Sequence, residues 1–180
     1  ACSGLDMPKP TASGSFVNQT AAVLTNDQPG TLWARKALNG DYNGDGWPDV
    51  LILGTGEDVV PFQGEFNQLF LSNGDGTLRY SAALEDSVGY HHGGASADID
   101  GNGTIDVLTV NAGCQGTQCG LGVASAYFLI NDGDGTFTRN TSRLPAELQG
   151  GAAIYTIELI DVDRDGFIDV LTSGHESIEG

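Results

Sequence analysis

Positive charge is what this sequence most lacks. Its 180 residues carry 7 Lys and Arg against 24 Asp and Glu, for a formal net charge of −17. A nucleic-acid-binding face needs clustered basic side chains, so that class is excluded. No apolar run reaches eighteen residues, so no transmembrane segment is expected. Catalytic signatures are also missing: there is no G-x-S-x-G elbow, no H-E-x-x-H pair and no Gly-rich phosphate loop. Tyr90-His91-His92-Gly93 alone invites an enzymatic reading. Adjacent strand residues point to opposite sides, so the two rings cannot readily share a metal, and a structural use is favoured. Trp33 and Trp47 suit sugar stacking, but packing between sheets is the commoner fate of tryptophan. Cysteine is scarce, with three in all. Cys114 and Cys119 bracket a four-residue segment and are expected to close it as a disulfide, two buried free thiols being the alternative. Cys2 is left over.

Aspartate, asparagine and glycine are abundant, and they are ordered. Asp41, Asn43, Asp45 and Asp49 lie in DYNGDGWPD, and Asp98, Asp100, Asn102 and Asp106 in DIDGNGTID. Asp161, Asp163, Asp165 and Asp169 lie in DVDRDGFID. All three obey D-x-[DN]-x-[DN]-G-x-x-D, with an oxygen-bearing side chain at positions 1, 3, 5 and 9. Calcium takes six to eight oxygens at about 2.3–2.6 Å, and alternate residues of a tight loop can aim theirs at one centre. The glycine at position 6 permits the sharp turn. Position 7 (Trp47, Thr104, Phe167) has no common chemistry, which suits a backbone-carbonyl ligand. Acidic turns are the plain alternative, since Asp, Asn and Gly favour turns for local reasons. A turn as such does not require an acid at position 9, so three calcium sites are expected. Ten of the 24 acids belong to these loops, and three bound ions would bring the formal charge to about −11.

An EF-hand would place a bidentate Glu at position 12, where this chain has Ile52, Thr109 and Thr172. Instead each loop runs into DVLILG, DVLTVN or DVLTSG, short and β-branched, which predicts a strand. The loops start at residues 41, 98 and 161, a period near 60 that marks a repeat architecture. A second element keeps the same period: LFLSNGDGTLRYSAAL (residues 69–84) matches FLINDGDGTFTRNTSRL (residues 128–144). Each is an apolar strand, an Asn/Asp/Gly turn and a second strand, a hairpin signature. Four antiparallel strands per repeat is the blade of a β-propeller.

The loops and hairpins resemble the FG-GAP/VCBS family, calcium-loop propeller repeats of bacterial surface proteins related to the integrin α-subunit head. The resemblance runs from about Gly14 onward. It implies an all-β chain of four-stranded blades: a tether over residues 1–13, the last strand of a shared blade over 14–30, a blade over 31–88 with loop 41–49, a blade over 89–150 with loop 98–106, and a partial blade over 151–180 with loop 161–169. About three blades make an incomplete ring, since propellers have four to eight. Further blades or self-association are expected to complete it.

The resemblance also implies a non-enzymatic scaffold for binding, adhesion or surface assembly, with a protein or glycan partner. The alternative is the propeller portion of a secreted polysaccharide-degrading enzyme. Extracellular calcium modules work at about 10⁻⁴–10⁻³ M, so an extracellular or cell-surface location is expected. The start Ala-Cys-Ser-Gly is similar to the lipid-modified region of bacterial lipoproteins, which would make Cys2 an anchor.

Overall fold

The computed structural model describes residues 18–57, 59, 64–84, 88–111, 125–148 and 154–174. The cysteine pair Cys114 and Cys119, and Cys2 with the tether, lie outside the described residues.

Among the described residues the fold is all-β, with two four-stranded antiparallel sheets and one two-stranded sheet. Sheet 1 comprises β1 (Ala34–Gly40), β2 (Asp49–Gly54), β3 (Gln68–Ser72) and β4 (Leu78–Ser81), ordered as in the chain. Sheet 2 repeats it with β5 (His91–Ala97), β6 (Asp106–Asn111), β7 (Ser125–Asn131) and β8 (Phe137–Asn140). Sheet 3 pairs β9 (Ile154–Ile160) with β10 (Asp169–Gly174). Both expected hairpins form. Asn73 N–H donates to the Thr77 carbonyl (2.9 Å) and Asp132 N–H to that of Thr136 (3.0 Å), closing the β3–β4 and β7–β8 turns.

The sheets stack with sheet 2 in the middle. Leu51, Leu53, Leu69 and Leu71 of sheet 1 pack with Val107, Tyr127 and Leu129 of sheet 2. The opposite face of sheet 2 (Leu108, Val110, Ala126, Phe128) packs against Ile154 and Ile157 of β9. Both faces of β6 are thereby covered and all six of its residues are buried, as its near-continuous apolar run requires. Each fully buried Leu, Val or Phe contributes about 1.5–3 kcal/mol.

β1 and β5 carry few large apolar residues, and β5 runs close between β1 and β9. A Cβ on Gly93 would lie 2.5 Å from the Tyr155 carbonyl oxygen, and one on Gly94 2.8 Å from Leu53 Cδ1. The histidine pair works across this spine. His91 is buried, its Nδ1 3.1 Å from the Gly54 carbonyl of sheet 1 and its Nε2 2.7 Å from the Tyr127 hydroxyl. His92 faces the other way, its ring 4.9 Å from that of Tyr155 in sheet 3. The two rings join the middle sheet to both neighbours, which is the structural use anticipated from their adjacency.

Two expectations need correction. The strand anticipated over residues 14–30 is absent from its described part: Thr20–Val23 is a single helical turn, α1, whose Thr20 N–H donates to Asn18 Oδ1 (3.0 Å). After it, Leu24 makes one parallel bridge to Leu78, and Asn26 replaces a strand with its side chain. Its Nδ2 donates to the Tyr80 carbonyl (3.0 Å) and its Oδ1 accepts from Tyr80 N–H (2.6 Å). A local side-chain bond at Asn18 thus outcompetes extension there, and an amide side chain supplies both halves of a strand pairing. Nor are the tryptophans packed between sheets: Trp33 and Trp47 are 52% and 40% exposed.

Gly93→Ala should force β5 away from β9, because the obstacle is backbone rather than a flexible side chain. Overpacking of this kind costs about 1–3 kcal/mol, to be read by urea denaturation of the full chain.

Candidate metal centres

Each loop connects the first two strands of its sheet, and its first residue follows directly on the strand before it. The chain reverses there by two left-handed residues. Position 6 is glycine throughout (φ 86°, 89° and 92° at Gly46, Gly103 and Gly166). Position 4 is left-handed as well, at Gly44 (φ 72°), Gly101 (φ 76°) and Arg164 (φ 62°). This second requirement went unread in the sequence because Arg164 hides it. Arginine bears the steric cost of that region, so the third loop is the most strained.

The reversal directs the side-chain oxygens inward. At position 1, Asp41 accepts from Asp45 N–H (3.1 Å) and Gly46 N–H (2.8 Å), and Asp161 accepts from Asp165 N–H (3.1 Å) and Gly166 N–H (3.0 Å). Asp98 does the same with Asn102 N–H (3.1 Å) and Gly103 N–H (2.9 Å). Positions 3 and 5 follow suit. Asn43, Asp100 and Asp163 each accept from the N–H of position 5. Asp45, Asn102 and Asp165 each accept from the N–H of Trp47, Thr104 or Phe167. The three loops are therefore one geometry built three times.

Position 9 joins the loop to the sheet. Asp49 accepts from Tyr42 N–H on Oδ2 (2.9 Å) and from Ser72 N–H, at the end of β3, on Oδ1 (2.7 Å). Asp106 accepts from Ile99 N–H (2.9 Å) and from Asn131 N–H, at the end of β7 (2.8 Å). An acid at position 9 thus has a structural task that the sequence argument had not granted it. Each carboxylate oxygen keeps a second lone pair, so the task does not preclude binding a cation. Burial pushes the Asp49 and Asp106 carboxyls above their ordinary range; the two backbone N–H groups oppose this, and the neighbouring loop carboxylates add to it.

A chain of side chains links loop 1 to sheet 2. Buried Asn131 donates through Nδ2 to the Tyr42 carbonyl (2.7 Å) and to the Ile105 carbonyl (3.0 Å), while its Oδ1 accepts from Gly133 N–H (2.9 Å). Tyr42 is fully buried against Phe137, and burial raises its phenol to about 12, so it stays neutral. Asn131 was absent from the sequence-based site. Its signal was the alignment of Ser72 with Asn131 just before each hairpin turn.

The donor set fits a hard cation. Carboxylate oxygens of Asp98, Asp100 and Asp106 lie within 4.8 Å of one another, as do those of Asp161, Asp163 and Asp169. Two ligands of one calcium ion cannot lie farther apart than about 5 Å, so these triads meet the limit. Loop 1 has an amide oxygen, Asn43, where the others have an acid. The side chains at position 7 differ: Trp47 lies against Gly74 of its own hairpin turn, Thr104 sits against Gly133 with its hydroxyl donating to Asn102 Oδ1 (2.6 Å), and Phe167 is 75% exposed. Arg143 Nη2 stands 3.7 Å from Asp100 Oδ2, an exposed pair of small energetic weight. Asp75 and Asp134, in the hairpin turns, instead bind Thr77 and Thr136 of their own turns, which hold both carboxyls below the usual range.

Residues 41–109, from loop 1 through most of β6, match the model of the FG-GAP-like repeat. The match is consistent with an FG-GAP-like repeat over this segment, in keeping with the resemblance of its loops and hairpin. No curated protein matches the chain significantly.

Two outcomes test this geometry. Asn131→Ala leaves the buried carbonyls of Tyr42 and Ile105 unpaired and should cost about 2–4 kcal/mol in a denaturant titration. In metal-free protein, carboxyl-carbon chemical shifts should titrate above 3.8 for Asp49 and Asp106 and below 3.8 for Asp75 and Asp134. The raised pair contributes stability that is fully present below the ordinary carboxylate pKa and is lost as pH rises through the folded value. The lowered pair contributes stability present above the ordinary value and lost as pH falls through the folded one.

Proposed function

We propose that the chain is a calcium-stabilised, non-enzymatic module of β-propeller type. Its sheets serve as blades and its loops as cation-held joints. The observation that carries this reading is the threefold recurrence of one loop hydrogen-bond pattern at the same place in an antiparallel sheet, with carboxylate oxygens clustered in the second and third loops. Asp41, Asn43, Asp45 and Asp49 would hold one ion, Asp98, Asp100, Asn102 and Asp106 the second, and Asp161, Asp163, Asp165 and Asp169 the third. The carbonyls of Trp47, Thr104 and Phe167 would complete each set. Bound calcium supplies the positive charge that a loop of three or four acids lacks.

Within the chain, the loop carboxylates orient the turn through backbone N–H groups, and position 9 fixes the turn to β3 or β7. A cation at this point tightens the scaffold rather than performing a reaction. The paired histidines are occupied in contacts between sheets, which supports a scaffold over an enzyme. Sites of extracellular affinity are useful only where calcium is near millimolar, so the module is assigned to the outside of a cell, with a protein or glycan as partner.

Melting the full chain in millimolar calcium and in chelator tests the reading. At a concentration tenfold above Kd, each site adds roughly 1.4 kcal/mol, so three sites should raise Tm on the order of 10 °C. Asp165→Ala should lower Tm in calcium and leave the chelated protein nearly unchanged. Identical curves with and without chelator would sink the calcium assignment. A glycan array probed with and without calcium addresses the partner, and turnover of a polysaccharide by this chain alone would overturn the non-enzymatic role.

A further inference from the structure

Asn131 stands between loop 1 and loop 2, buried and bonded to both. On the loop 2 side its N–H donates to Asp106 Oδ1 (2.8 Å) and its Nδ2 to the Ile105 carbonyl (3.0 Å), while its own carbonyl lies 3.0 Å from the Thr104 hydroxyl. On the loop 1 side Nδ2 donates to the Tyr42 carbonyl (2.7 Å). The amide has one sensible orientation, because both partners of Nδ2 are carbonyls and the partner of Oδ1 is the Gly133 N–H. One residue thereby holds positions 7, 8 and 9 of loop 2 and position 2 of loop 1.

Packing runs the same way. A Cβ on Gly44 of loop 1 would lie 3.2 Å from the Gly133 carbonyl oxygen, and one on Gly135 3.6 Å from Asn43 Cβ. A Cβ on Gly40, just before loop 1, would meet Ile105 Cδ1 of loop 2 at 3.0 Å. The β7–β8 turn is wedged between the two loops, so neither rearranges alone. Ser72 is the counterpart of Asn131 in sheet 1. Its N–H donates to Asp49 and its hydroxyl oxygen accepts from Gly74 N–H (3.2 Å), but serine has no amide to extend to a second loop.

We propose that loops 1 and 2 are coupled through Asn131, so that a cation held in one raises the affinity of the other. This coupling rests on the calcium reading above and turns two of its separate joints into one linked pair, with loop 3 independent. The physical route is order. Asp106 and the Thr104 carbonyl are ligand candidates of loop 2, and fixing them fixes Asn131. A fixed Asn131 holds the Tyr42 carbonyl, which lies between Asp41 and Asn43 of loop 1. Tyr42 N–H is held in turn by Asp49, the ninth position of that loop. Binding at one loop therefore removes part of the ordering cost at the other, and linkage makes the effect reciprocal. Repulsion between two ions acts with the opposite sign, so the direction of the effect discriminates between them.

Calcium titration of the full chain, followed by amide resonances at Gly46, Gly103 and Gly166, reads each loop separately. Asp100→Ala, which disables loop 2, should weaken calcium binding at Gly46 about fivefold or more and leave Gly166 unmoved. Asp45→Ala in loop 1 should weaken binding at Gly103 by the same factor. Asn131→Ser keeps the backbone bond to Asp106 and places there the residue that sheet 1 uses. In that background Asp100→Ala should no longer change the affinity read at Gly46. The two loop variants decide the coupling even if Asn131→Ser unfolds. An affinity at Gly46 that ignores Asp100→Ala, or tightens with it, overturns the coupling and leaves the calcium reading standing. Coupling that survives Asn131→Ser overturns the route through this residue. Resonances that stay still in all three loops up to about 10 mM calcium, tenfold above the weakest extracellular modules, remove the calcium reading and the coupling with it.

Discussion

Asp49 and Asp106 each bind two backbone N–H groups that arrive from different directions. One comes from the second residue of the loop, the other from the end of the third strand. Loop, second strand and third strand are pinned through a single carboxylate. Burying that group is unfavourable, as the upward pressure on both carboxyls shows, and the two hydrogen bonds offset it. The rest of each sheet depends on this join. It sets where the hairpin turn lies over the loop, and therefore which residue passes under position 7. Through Asn131 it also sets how loop 1 meets sheet 2.

Much of this was legible in the sequence because repetition made weak local signals strong. The loops, the strands after them and both hairpins were read from spacing, and the structure forms them there. The opposed histidines followed from the period of a strand. What escaped were features that depend on a neighbour. Asn131 looks like an ordinary turn residue until the Tyr42 carbonyl stands beside it. The left-handed fourth loop position was masked because two copies use glycine and the third uses Arg164. Residues 18–30 misled for a related reason. The resemblance implied a strand there, but Asn18 bends the chain at Thr20 and Asn26 does a strand's pairing with one amide.

Electrostatics set the terms on which the loops persist. Their carboxylates converge while the chain has little positive charge to spare, and among the described residues Arg143 approaches Asp100 alone of the loop acids. Backbone N–H groups take up the inward-facing oxygens in all three loops, so the geometry is already organised around an oxygen-lined centre. Preorganisation of that kind reduces the conformational cost of binding an ion. It also separates these acids from Asp75 and Asp134, whose partners lie within their own turns and whose oxygens are committed there.

Sheet 1 turns its outer face, with Val50, Ile52 and Phe70, toward a cavity of about 730 Å³ whose far wall includes Thr20, Val23 and Leu24. Its outer edge is capped by Asn26, which occupies both the N–H and the carbonyl of Tyr80. An exposed strand edge is a template for further pairing, and proteins normally blunt it. Here the edge of β4 is blunted by a side chain that satisfies both backbone groups of Tyr80 at once. One amide side chain thus does at this edge what a strand does inside a sheet, without exposing a further edge of its own.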